Sequence, residues 1–245
     1  GSIGKSFTAL VLLRMVERGQ IDLHQPVSAY LSWFAVQSPH EPITVHHLMT
    51  HTAGISYGAG PLEAEYKAAN LLGWYCADHD ETIGQFVDRL ATLPFAAQPG
   101  EQYVYGFGTD VLGRVIEVVT GQPLDEALRT RVFEPLRMRD TFFYVPADKV
   151  ARLATVYGVP APGGTLTRAP ADGPEGRGST GQGAYVDGPR KCFAGGAGLV
   201  STITDYARFL QMLLNGGELD GVRVLSPAAV TAMTSNQVGS LYRDG

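Results

Sequence analysis

Lysine is scarce in this chain: Lys5, Lys67, Lys149 and Lys191 are the only four in 245 residues. Acidic residues outnumber Lys and Arg by 24 to 19, giving a formal net charge of −5. No basic footprint for a nucleic-acid backbone is present, so nucleic-acid binding is not expected. Long apolar runs are also missing; none approaches the roughly 20 residues that a bilayer-spanning helix needs. Cysteine is limited to Cys76 and Cys192. The two either pair in an oxidising compartment or sit apart as small buried groups, and the second reading is preferred. No secretory signal is visible, but the sequence opens inside a motif without a starting Met. Upstream residues are therefore expected to be missing, and the compartment, cytoplasmic or exported, stays open.

Apolar residues are plentiful at 44%, against 18% charged, the balance of a globular chain with a real core. Ile3, Phe7, Leu10 and Val11 recur at helical spacing, and Gly19 stops the run. Pro26 to Phe34 and His46 to His51 read as short helices. Thr82 caps a helix through Ile83, Phe86, Val87 and Leu90. Asp110 opens another through Val111, Leu112, Val115 and Ile116, and Pro123 starts the next. Thr204 is expected to cap a helix that buries Tyr206, Phe209, Leu210, Leu213 and Leu214 on one face. Ser226-Pro227 starts a last one. Gln102 to Tyr105 reads as a short extended piece. Residues 157–196 form a long irregular connection rich in Gly and Pro. Helices dominate and strands are few.

The opening GSIGKS carries two motifs. Gly4-Lys5-Ser6 ends like a phosphate-binding loop, G-x-x-x-x-G-K-S/T, but that loop needs a preceding strand and a strand-end Asp for magnesium. Neither is found. Ser2-Ile3-Gly4-Lys5 is an S-x-x-K pair, and no other Lys here has Ser three positions earlier. At the start of an amphipathic helix, side chains at i and i+3 are neighbours. A serine hydroxyl becomes a useful nucleophile only when a neighbouring base takes its proton. Lys5 must shed its charge to do so, and burial together with the positive helix end favours the neutral amine. The backbone N–H of Ser2 is placed to support an oxyanion. Tyr105 is the candidate third group, relaying or accepting the serine proton. Whether Lys5 or Tyr105 is the base stays open, because the two protonations are coupled.

Several stretches then carry a family likeness: SIGKSFTA at the start, GQIDLHQPV at 19–27, ITVHHLMTHTAG at 43–54, QPGEQYVY at 98–105, DVLGRVIE at 110–117, and GGAGLVST at 195–202 followed by DYARF at 205–209. In these the chain resembles the serine hydrolases of the β-lactamase and penicillin-binding-protein-like family. It is most similar to class C β-lactamases, the family VIII carboxylesterases and the lovastatin-type acyltransferases. The resemblance implies one α+β domain over 1–245, with a helical subdomain and an antiparallel sheet flanked by helices. Sheet strands before the nucleophile helix and a third motif beyond residue 245 are expected to lie outside the chain, leaving mostly helix and loop. The second oxyanion N–H of the family comes from that downstream strand.

By the same resemblance Ser2 is the acylated nucleophile, Lys5 its partner and Tyr105 the second-motif tyrosine. The family's peptidases and lactamases carry Asn two places after that tyrosine; here Phe107 stands there and cannot bind a substrate amide. Ester substrates with apolar groups are therefore favoured over β-lactams. Phe107 and Tyr57 are taken as substrate-binding residues. The implied activity is a carboxylesterase acting on short or medium acyl esters, with a β-lactamase, a D-amino-acid peptidase or a non-catalytic binding member as alternatives. A small-molecule ester or amide is the expected partner, with no cofactor and no metal. His47 and His51 have zinc-like spacing, but Leu48 stands where the helical motif places Glu, and the family reading makes both structural. Trp33, Phe34, Trp74 and Tyr75 are aromatic candidates for an acyl pocket, with core or rim packing the alternative.

Overall fold

The computed structural model describes residues 1–34, 42–72, 76–158, 163–169 and 183–242. Trp74, Tyr75 and the Cys76 side chain lie outside the described residues; Cys192 is buried. Among the described residues the architecture is helical: α1 (Lys5–Glu17), α2 (Val45–Met49), α3 (Glu63–Ala68), α4 (Ile83–Leu90), α5 (Gly108–Thr120), α6 (Leu124–Leu128), α7 (Ala184–Asp187), α8 (Ile203–Leu214) and α9 (Pro227–Thr234). The one described sheet is a hairpin of β1 (Glu218–Leu219) and β2 (Val222–Arg223), antiparallel with Leu219 opposite Val222. No described helix is long and apolar enough to cross a membrane.

α1 is the central element. Phe7, Thr8, Leu10, Val11, Leu12, Leu13 and Met15 are all buried, so the helix is enclosed on nearly every side rather than on a single stripe. It packs against α5, α6 and α9. Phe7 anchors it to α8, its ring meeting those of Phe133, Tyr206 and Phe209 edge-on with centroids 5.4, 5.9 and 4.6 Å away, the arrangement aromatic quadrupoles favour. Ile3, expected on the inner face, is instead 60% exposed, because Ser2–Gly4 forms a 3-10 turn ahead of α1 and three residues per turn rotate Ile3 off the α-helical face.

Two short helices are fixed by reciprocal caps. Thr44 accepts from the His47 backbone N–H while His47 Nδ1 accepts from that of Thr44. Thr82 and Gln85 do the same at the start of α4. Each pair satisfies two of the N–H groups a helix start leaves open. Thr82→Ala is expected to cost about 1 kcal/mol, read as a lower urea midpoint at unchanged slope.

Three local expectations are corrected. The cap of α8 is Thr202, which accepts from the Asp205 N–H, and Thr204 lies inside the helix. The buried face of α8 is Asp205, Phe209 and Met212. Leu210 and Leu214 turn outward, the latter 82% exposed, in line with Ile203 at 91%. α8 thus has two apolar stripes, and the pattern alone does not say which one packs. Residues 102–105 form no strand; Val104 N–H donates to the His51 carbonyl at 2.7 Å, but no ladder is present for it to join. Between Pro26 and Phe34 only Val27–Ala29 is helical, since a single turn suffices to seat Val27 and Leu31 in the core.

Candidate active site

The site forms where the leading end of α1 meets three other segments. Ser2 stands exposed in the 3-10 turn, and Lys5 is the first residue of α1. The turn brings their side chains together: Lys5 Nζ lies 3.3 Å from Ser2 Oγ. Nζ also donates to the Tyr57 hydroxyl at 3.0 Å and to the Gly196 carbonyl at 2.7 Å. Three acceptors match the three N–H groups of an ammonium. A neutral amine fits as well, donating to Tyr57 and Gly196 and accepting from Ser2.

The Gly196 carbonyl reaches Lys5 because residues 195 and 196 have no side chains. A Cβ on Gly195 would lie 2.2 Å from the Thr109 carbonyl oxygen, and one on Gly196 would lie 2.5 Å from Asp110 Oδ2. The bare backbone therefore runs between α1 and α5. Thr8 Oγ1 holds it on one side by donating to the Gly195 carbonyl at 2.8 Å. Asp110 Oδ1 holds it on the other by accepting the Gly196 N–H at 2.9 Å. Asp110, read from sequence only as a helix opener, is 3% exposed. Burial pushes its carboxyl up to about 6, opposed by the positive charge of Lys5 and the Gly196 N–H.

Tyr57, Tyr105 and His51 close the other side. The Tyr105 ring centroid is 5.0 Å from Lys5 Nζ and that of Tyr57 is 5.7 Å, both within cation–π range. Tyr105 is 42% exposed. Its ring packs on His51 at 4.6 Å and on Tyr57 at 5.5 Å. The hydroxyl bonded to Lys5 is that of Tyr57, and Tyr105 sits one step further out. Burial, then the charge of Asp110, then Tyr105 hold the Tyr57 phenol well above the ordinary tyrosine range, so it is neutral at physiological pH. His51 is pushed down to about 4, by burial and then by Lys5, and is a neutral imidazole. His47 is engaged in the α2 cap.

Of the residues singled out in the sequence, Ser2, Lys5, Tyr57 and Tyr105 therefore converge. Phe107 is buried, its ring edge-on to Tyr57 at 4.5 Å and to Phe86 at 5.1 Å; it backs the tyrosine pair and leaves no open face. Trp33 is half-exposed against buried Phe34, and neither touches Lys5. A cavity of about 360 Å³ opens beside Lys5, walled by apolar Leu13, Met49 and Leu112 and by polar His46, Thr50 and Gln237; Ser2, Tyr57 and Tyr105 do not line it. A larger one of about 590 Å³ lies elsewhere, between Phe142, Leu153 and Val200. Size does not select it: Lys5 and its partners are not among its walls, and its cations Lys149 and Arg152 are bonded to Asp140.

The beta-lactamase family model matches residues 1–245. The chain belongs to the beta-lactamase family. Esterase EstB of Burkholderia gladioli is 35% identical over 86% of this chain and 55% of its own length. Protein Rv1367c of Mycobacterium tuberculosis is 33% identical over 97% of this chain and 58% of its own. The solved structure of EstCE1, described as a hydrolase with promiscuous acyltransferase activity, superposes with a TM-score of 0.79 at 30% identity, covering 94% of this chain and 61% of that one. This beta-lactamase-family chain thus spans little more than half the length of the curated relatives it matches. Its fold is β-lactamase/transpeptidase-like, with few of the strands that name evokes among the described residues.

Proposed function

We propose that this beta-lactamase-family protein is a serine hydrolase acting by acyl transfer on short or medium acyl esters. The observation that carries the reading is Lys5 Nζ within hydrogen-bond distance of both Ser2 Oγ and the Tyr57 hydroxyl at the leading end of α1. Ser2 Oγ attacks the ester carbonyl, and its proton passes to Lys5 as the new C–O bond forms. The Ser2 N–H, at the positive end of α1, supports the oxyanion. Collapse breaks the ester C–O bond, and the departing alkoxide takes a proton relayed by Lys5 through the tyrosines. Tyr57 acts as a neutral phenol, and Tyr105, on the open side, stands closer to the leaving group. Water, or an alcohol in a transfer reaction, then releases the acyl group.

Phe107 supports esters over β-lactams, since a buried phenyl ring offers no amide to a β-lactam carbonyl. EstB and EstCE1 lend the reading weight as an esterase and a hydrolase. In the test, a fluorophosphonate probe labels the intact natural chain, the adduct maps to Ser2, and Ser2→Ala takes up no label. The wild type turns over p-nitrophenyl butyrate faster than nitrocefin. Absence of any adduct would mark a binding module. Faster nitrocefin turnover would mark a β-lactamase.

A further inference from the structure

Among the described residues Asp110 is the one buried carboxylate at this site, and no step above uses it. Its placement is specific. Its Oδ1 binds the Gly196 N–H at 2.9 Å, and the carbonyl of that same residue accepts from Lys5 at 2.7 Å. Gly196 is thus held between a carboxylate and an amine, and only a residue without a side chain fits there. A buried carboxylate is costly unless an opposite charge or a function retains it.

We infer that Asp110 is a positioning residue for Lys5: through Gly196 it aims the amine between Ser2 and Tyr57, and its charge stabilises the ammonium that forms when Lys5 takes the serine proton. The inference rests on the acyl-transfer reading. A negative charge near the pair favours a positive Lys5 and opposes a second negative charge on the Tyr57 phenol, the direction found for Tyr57. The other ionisable groups facing this pair among the described residues are His51, just after α2, and Tyr105, from the segment before α5. His51 is neutral above about 4, which leaves Asp110 as the charge facing Lys5 among the described residues.

The test is Asp110→Asn in the intact natural chain, which keeps an acceptor for the Gly196 N–H and deletes the charge. Without the charge the base loses its proton more readily. The acid limb of kcat/KM against pH is therefore expected to move down by about one unit. A weaker base lowers kcat, by about 10-fold.

Stability moves the other way. A carboxyl whose folded value is raised contributes its stability below its unfolded value of 3.8, and that contribution is lost as pH rises through about 6. The Tm of Asp110→Asn relative to wild type should accordingly increase between those two pH values, while activity falls. A purely structural carboxylate would lower kcat without moving the acid limb, so an unmoved limb overturns the inference. If the variant does not fold, a ¹³C titration of Asp110 in the wild type decides: a carboxyl whose ionisation coincides with the acid limb of kcat/KM upholds it, and one that stays neutral at pH 7 overturns it. A wild type that takes no fluorophosphonate at Ser2 fails the acyl-transfer reading itself, and this inference with it.

Discussion

Lys5→Met is expected to lower kcat/KM for p-nitrophenyl butyrate by about 10²–10⁴-fold, the range for losing a positioned acid–base group. Methionine keeps most of the length and apolar bulk, so the core side of α1 is retained. What disappears is one donor serving three acceptors: Ser2 Oγ, the Tyr57 hydroxyl and the Gly196 carbonyl. The hydroxyls have access to other partners, but the Gly196 carbonyl is left short, at a stability cost of about 1–3 kcal/mol. The two effects separate cleanly, because a urea melt reports the second and ester kinetics on the folded variant report the first. Lys5→Met retaining wild-type turnover would remove Lys5 from the proton path.

Gly106→Ala is expected to be damaging from a position that touches no reacting atom. The added Cβ would sit 2.1 Å from the Ile55 carbonyl oxygen and 2.6 and 2.7 Å from Ser56 C and Cα. All three are main-chain atoms, so no rotamer relieves the clash, and the 55–57 segment must move away from 105–107. Those segments carry the two tyrosines beside Lys5. A displacement near 1 Å in such a site costs about 10²-fold in rate, and overpacking costs about 1–3 kcal/mol in stability. Kinetics on the variant, with fluorophosphonate labelling as the count of competent sites, check the first figure. Unchanged kinetics would mean that the two segments shift without disturbing the tyrosine pair.

The Ser2–Lys5 pair was legible because its contact is local: one turn of backbone fixes two side chains three positions apart. The helices α1, α4, α5 and α9 were legible for the same reason, being written in apolar spacing and in caps at Thr82 and Ser226. Tyr57 was singled out only as a pocket residue. Its bond to Lys5 spans 52 positions and depends on where the loop after α2 lands, which no spacing rule encodes. Asp110 reads as an ordinary first-turn acid, a favourable place beside the helix dipole. Its burial follows from the approach of Gly195 and Gly196, a tertiary event. On α8, two apolar stripes satisfy the same period, and the sequence offers no ground for choosing the one that faces Phe7. Thr202 and Thr204 are rivals for one cap, and the Asp205 N–H decides between them.

The passage at 195–196 serves Lys5 with main-chain atoms alone, which changes how its contribution is to be measured. Alanine scanning is blind there, since every replacement adds volume and reports a collision instead of a lost contact. Chemical protein synthesis offers the cleaner probe: glycolic acid in place of Gly196 turns one amide into an ester and deletes the N–H held by Asp110 without adding an atom of bulk.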